Sequence, residues 1–212
     1  MLELSRSRQD WTPVLPRILP MRLRLVKQPF DDPDYIFELK HDGFRAVAYI
    51  DQSGCRLVSR NLKSLPFKSL RASLGTIDVT DAILDGEIIV LGKDGTSQFN
   101  SLLSRKNEEV AVFYAFDLIW VNGWDLRQSP LMERKARLRA LVIRSGCQRL
   151  LYAPHVDGTG KQFFAEICRR DLEGIVAKRK LSIYKEDSNG WLKIKNRTYS
   201  QAEGRHELLT RK

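Results

Sequence analysis

Apolar and polar residues alternate along this chain in short bursts, not in long helical stripes. From Tyr35 onward, YIFELK (35–40), FRAVAYID (44–51) and CRLVSR (55–60) are rich in β-branched and aromatic residues, the composition of strands. Gln52-Ser53-Gly54 supplies a turn between the second and third, and the pattern predicts three neighbouring strands. Two further strands are predicted at AILDGEIIVL (82–91), followed by the turn Lys93-Asp94-Gly95, and at VAVFYAFDLIWV (110–121), closed by Asn122-Gly123. Between them, SQFNSLLSRK (97–106) predicts a short helix capped by Ser97.

LMERKARLRALVIRS (131–145) sets Leu131, Leu138, Leu141 and Val142 at helical spacing with basic residues elsewhere, so an amphipathic surface helix is predicted. A second helix is predicted over KQFFAEICRR (161–170). Strands return at GIVAKRK (174–180) and WLKIKN (191–196), ahead of the polar tail QAEGRHELLTRK. Residues 1–34 contain Pro13, Pro16, Pro20, Pro29 and Pro33 and read as a lead-in without long helices. Together these elements predict an α+β fold, one domain over 1–200 with lead-in 1–34 and a tail 201–212, built largely on antiparallel sheets flanked by helices. No internal repeat is visible.

The 212 residues are 42% hydrophobic, enough for a substantial core. Lys and Arg number 36 against 26 Asp and Glu, and the net charge of +10 favours polyanionic partners. No run of 18 apolar residues occurs, and the start MLELSRSRQD lacks the apolar core of a secretory signal. A cytoplasmic protein without membrane contact is expected. Cys55, Cys147 and Cys168 are odd in number and far apart, which predicts reduced thiols, with neither a disulfide framework nor a C-x-x-C metal site.

Lys40, at the end of the first of these strands, would by itself read as a solvated edge residue. Charges recur at other strand ends, however: Arg45, Arg60, Glu87, Glu173, Lys193 and Lys195. The two-residue period of a strand puts Lys193 and Lys195 on one face, continued by Trp191.

The order of motifs is more specific than any single residue. Lys40-His41-Asp42-Gly43 (K-x-D-G), Ser59-Arg60-Asn61, Asp85-Gly86-Glu87, Phe116-Asp117-Leu118, the E-G-x-V-x-K run from Glu173 to Lys178 and the W-L-K-I-K run from Trp191 to Lys195 follow one another. In that order they resemble the nucleotidyltransferase superfamily of ATP-dependent DNA ligases, over about residues 20–200, and especially the ligase modules of bacterial end-joining systems. The resemblance implies an ATP-grasp-like nucleotidyltransferase fold in which Lys40 attacks the α-phosphate of ATP to form a lysyl-AMP. The AMP then passes to a 5′-phosphate of DNA, from which a 3′-hydroxyl displaces it.

It further implies that Lys193 and Lys195 favour the neutral amine of Lys40 and stabilise the α-phosphate. Phe116 would stack on adenine, with Val176 or Ile175 on the other face, while backbone groups of Glu38 and Leu39 read the base edge. Glu87 would hold the ribose, Arg45 and Arg60 ribose or phosphate, and Glu173 a Mg²⁺ ion. Asp42 would shape the turn and Gly43 would leave room beside the nucleotide; His41 occupies the variable position and takes no role. Trp191, Lys178 and Asp117 fit their motifs, but packing explains each nearly as well.

Two departures stand out. Family members carry an oligonucleotide-binding barrel after the W-L-K-I-K strand, and the short remainder after Lys195 leads one to expect none here, so that a separate protein or domain would supply its function. The segment KEDSN (185–189) is acidic where end-joining relatives tend to be basic, which weakens the expected grip on DNA there. The alternatives are an RNA ligase, a capping-type enzyme that prefers GTP, or a non-catalytic nucleic-acid-binding module.

Overall fold

The computed structural model describes residues 15–92, 95, 97, 98, 102 and 109–202. Its elements are β1 (Leu23–Leu25), β2 (Tyr35–Leu39), β3 (Phe44–Asp51), β4 (Gly54–Ser59), α1 (Lys68–Leu74), β5 (Ala82–Val90), β6 (Ala111–Val121) and β7 (Trp124–Asp125). They continue with α2 (Leu131–Ser145), β8 (Leu150–Tyr152), β9 (His155–Asp157), α3 (Gly160–Arg169), β10 (Gly174–Arg179) and β11 (Trp191–Lys195). One sheet has the order β1-β11-β10-β2-β9, and a second has β4-β3-β5-β6-β7 with β8 added beside β6. Pairing is antiparallel except for β1 with β11 and β6 with β8.

The strands predicted as three neighbours divide between the sheets. β3 pairs with β4 and β5, whereas β2 pairs with β10 and β9. Lys40-His41-Asp42-Gly43 is therefore not a hairpin turn but the crossing from one sheet to the other. Gly43 is required there: a Cβ would lie 2.2 Å from the Ile88 carbonyl oxygen on β5. That room is taken by β5, and Gly43 also lines a cleft between the sheets. Asp42 is an anchor more than a turn former, since its carboxylate accepts a bond from the buried Tyr199 hydroxyl at 3.2 Å.

Alternation along each strand assigns its side chains to one of three apolar clusters. Ala46, Ala48, Leu84, Ile88, Phe113 and Ala115 pack outward from the second sheet against Leu70 and Leu74 of α1 and Leu138 and Leu141 of α2. Phe37, Ile175, Ala177, Leu192 and Ile194 pack from the first sheet against Ile167 of α3. Between the sheets lie Val47, Tyr49, Ile83, Ile119, Val176 and Trp191, joined by Leu15, Ile18 and Met21 of the lead-in. Residues 15–22 of the lead-in thus form a strap in the central layer that runs into the edge strand β1.

One helix differs from its sequence reading. In α2, Arg134 and Lys135 are fully buried despite their charge, because Arg134 forms two 2.8 Å bonds to the buried Asp117 and Lys135 bonds the buried Glu38. Asp117 belongs to β6 and Glu38 to β2, so α2 ties the two sheets together through ion pairs. The helix predicted from Ser97 lies, apart from isolated positions, outside the described residues, as does the tail beyond Ala202. No helix among the described residues is long and apolar enough to cross a membrane.

Candidate active site

The inter-sheet face of each strand contributes polar residues at one end of the central layer. β2 presents Glu38, β3 Arg45, β5 Asp85 and Glu87, β6 Phe116, β10 Val176 and Lys178, and β11 Trp191, Lys193 and Lys195. The period of two accounts for these sets: on β10, for example, Ile175 and Ala177 enter the α3 cluster while Val176 turns inward. Of the two residues expected to pack on the base, Val176 therefore faces the cleft and Ile175 does not.

Two adjoining cavities result. A narrow pocket is lined by Glu38, Leu39, Lys40, His41, Arg45, Glu87, Phe116, Val176, Lys178 and Trp191, with Leu23 and Ala153. A wider cleft of about 910 Å³ takes in Lys40, Arg45, Arg60, Glu87, Glu173, Lys193 and Lys195. Apart from Ile175, every residue to which the motifs give a nucleotide, phosphate or metal contact lines one or the other.

Lys40 stands where they meet. Its backbone N–H donates to Gly174 O at 2.9 Å and its Nζ to Glu173 Oε2 at 2.7 Å. Gly174 has φ +145° and its missing Cβ would lie 2.2 Å from Ile194 O, so only glycine lets β10 start close enough to hold the lysine backbone. Burial, then the neighbouring ammoniums of Lys195 and Lys40, lower the Lys193 pKa from its ordinary value. Burial pushes the Glu87 carboxyl up to about 7, against the pull of Lys40 and Arg45. Among the described residues, no ion pair engages Arg60, Lys193 or Lys195.

The narrow pocket has an aromatic wall and an ionic back. Lys178 Nζ lies 3.9 Å from the Trp191 ring centroid and 4.4 Å from that of Phe116, and 2.6 Å from Glu38 Oε2. Glu38 Oε1 receives Lys135, so one buried carboxylate serves two buried ammoniums. Burial raises the Glu38 pKa, but the two lysines outweigh it and hold it below the usual carboxylate range. Burial pulls Lys178 down from its ordinary value. His41 packs on Tyr114 at 4.0 Å between ring centroids, and burial beside Lys40 lowers its pKa to about 4, so the ring is neutral at pH 7.

Arg45 is more constrained than the motifs suggested. Its guanidinium binds Asp85 at 3.1 and 2.7 Å and donates to Met21 O at 2.6 Å. Tyr184 donates to the same aspartate at 2.8 Å. The acidic segment 185–189 is also engaged: Glu186 pairs with Arg127 and Asp187 with Arg22, each at 2.5 Å. Both carboxylates of the segment are thus matched by arginines of this chain. Sequence reasoning missed Lys135 and Arg22, and named Asp85 only as the first residue of the Asp85-Gly86-Glu87 motif, without a role. For Lys135 a signal existed, since it falls four residues after Leu131 on the apolar stripe of α2.

Two apposed sheets, with a lysine crossing between them into a cleft of carboxylates, cations and an aromatic wall, are the architecture of the nucleotidyltransferase fold of DNA ligases. Residues 4–195 match the model of the ATP dependent DNA ligase domain, and the chain belongs to that family. It is 31% identical over 191 residues to the SPbeta prophage-derived DNA ligase-like protein LigB of Bacillus subtilis, covering 87% of this chain and 69% of that protein. It is 33% identical over 192 residues to the multifunctional non-homologous end joining protein LigD of Pseudomonas aeruginosa, covering 87% of this chain but 22% of that protein. A solved structure described as mycobacterial DNA ligase D complexed with ATP and MES superposes with a TM-score of 0.74 at 28% identity, over 84% of this chain and 60% of that one.

Proposed function

We propose that this domain performs the adenylation chemistry of an ATP-dependent DNA ligase, with Lys40 as the covalent carrier of AMP. The observation that carries this reading is the placement of Lys40 Nζ at the junction of an aromatic-walled pocket and a cationic cleft, 2.7 Å from Glu173. In the reaction, the Lys40 amine attacks the α-phosphorus of ATP, the bond to pyrophosphate breaks, and the amine loses its proton to give a phosphoramide. The AMP passes to a 5′-phosphate of DNA, freeing the amine, and a 3′-hydroxyl displaces AMP as the strand is sealed.

Each neighbour has work that follows from its position. Phe116 and Val176 sandwich the base, backbone groups of Glu38 and Leu39 read its edge, and Glu87 accepts from the ribose. Lys193 and Lys195 offset charge on the α-phosphate as it changes geometry. Arg60, exposed at the cleft rim, serves a phosphate, whereas Arg45 orients Asp85 and the aromatic wall before it serves any ligand.

Among the described residues no cluster of three metal-ligating side chains exists. Mg²⁺ accepts one or two carboxylates together with waters and substrate phosphate, so Glu173 in the cleft is a fitting protein ligand. When bound, the ion would neutralise phosphate charge.

Incubation with Mg²⁺ and ATP labelled at the α-phosphate tests the reading. Acid-labile, alkali-stable label on the wild type and none on Lys40→Ala is expected. Label from GTP in preference to ATP would instead support the capping-type alternative, and sealing of nicked RNA but not nicked DNA would support an RNA ligase.

A further inference from the structure

The acidic segment KEDSN does two different things with its two carboxylates. Glu186 turns to Arg127 and to the Leu19 backbone, at 2.5 and 2.8 Å. Asp187 instead closes the guanidinium fork of Arg22, receiving Nε at 2.5 Å and Nη2 at 3.0 Å. Arg22 and Asp187 both line the wider cleft, with side chains 62% and 50% exposed. The Arg22 backbone N–H is fixed as well, donating to Ser188 O at 2.6 Å.

A carboxylate and a phosphate fill the same two-toothed arginine fork. An ion pair this exposed contributes little to stability. A phosphate drawn in by the uncommitted Arg60, Lys193 and Lys195 can therefore displace Asp187. Position along the cleft indicates which phosphate. Leu23 is in register with Trp191, so Arg22 stands one step before the start of β11, roughly 10–17 Å from the level of Lys193 and Lys195 at the rise of a strand. That separates it from the α-phosphate at Lys40 and suits a second phosphate of a polymer.

We propose that Arg22 contacts the DNA sugar-phosphate backbone, and that Asp187 holds its guanidinium closed until a phosphate takes the aspartate's place. This rests on DNA being the substrate of the cleft. The acidic segment then acts as a built-in competitor that weakens binding of wrong or short ligands while keeping Arg22 oriented.

The test is the affinity of the full chain for a nicked DNA duplex, followed by fluorescence anisotropy across a salt series without ATP. Asp187→Asn removes the charge while tolerating the φ of +53° found there; it should tighten binding several-fold. Arg22→Gln should weaken binding several-fold, lower the slope of log K against log salt by about 0.9, and abolish the gain from Asp187→Asn in the double variant. Arg22→Lys should keep the slope. Labelling of Lys40 by ATP should be unchanged in every variant. Binding unchanged or weakened by Asp187→Asn would overturn the proposal, as would an Arg22→Gln that raises the ATP concentration needed for labelling and leaves the salt slope alone. Failure of the wild type to label would reject the adenylation reading separately, and the anisotropy would still decide the role of Arg22.

Discussion

Glu38→Gln should be among the most destabilising substitutions in the domain although its shape hardly changes. Glu38 is 2% exposed and its two oxygens are taken by Lys135 and Lys178, each 1% exposed. Making the carboxylate neutral leaves two buried ammoniums facing one another with no anion between them. Breaking a buried pair by removing one partner costs about 3–5 kcal/mol. For a domain of this size, each kcal/mol moves the melting temperature by about 2–4 °C, so a drop on the order of 6–20 °C is expected.

The pH dependence gives this prediction a sign. In the wild type, the depressed pKa of Glu38 contributes stability that is present above the ordinary carboxylate pKa and lost as pH falls through the folded value. In the variant the burden falls on Lys178, whose folded pKa is lowered by burial. The folded state then holds fewer protons than the unfolded state as pH rises toward the ordinary lysine range, so the variant's deficit should shrink between pH 7 and 10. Thermal melts of both proteins at several pH values measure this. A variant melting within about 1 °C of wild type, or a deficit that grows with pH, would show that Glu38 is not the anion holding the two buried lysines.

Other outcomes follow from the same geometry. Lys193→Met should slow formation of the lysyl-AMP by about 10²–10³-fold, the effect of losing one preorganised charge-stabilising donor, measured by single-turnover labelling. Gly174→Ala should destabilise the fold by more than about 1 kcal/mol in denaturant melts, because its φ of +145° and the 2.2 Å approach to Ile194 O both exclude a side chain. Glu87, with its pKa raised to about 7, keeps a proton in the folded state that the unfolded state has lost, so it subtracts stability as pH rises from about 4.5 toward 7. Glu87→Gln should flatten that part of the stability profile, and should remove any gain in ATP affinity between pH 6 and 8 that titrates with this group.

The sequence made the strands and their faces legible, because each strand is half-committed to a different cluster and alternates accordingly. Trp191, Lys193 and Lys195 share a face as their spacing required, and the Asn122-Gly123 turn has both residues at positive φ. Which strands pair was not legible: YIFELK and FRAVAYID look like consecutive hairpin strands, and only the three-dimensional path shows that Lys40 to Gly43 crosses between sheets. β8 and β9 have three residues each, too few for any periodicity to register. Motif order is a non-local pattern, and the residues it singled out line the two cavities. The supporting ion pairs escaped it, even that of Asp85 inside a motif, because the two halves of the Asp85, Lys135 and Arg22 pairs lie 40, 97 and 165 residues apart, and no local spacing encodes such a pairing.

The adenylation reading turns on one nitrogen atom, Lys40 Nζ. After incubation with ATP and Mg²⁺, proteolysis and tandem mass spectrometry under conditions that preserve phosphoramides should find AMP on the peptide containing Phe37 to Arg45, with the modification on Lys40. An unmodified peptide from a protein that otherwise binds ATP, or AMP attached at Lys193 or Lys195 instead, would contradict it.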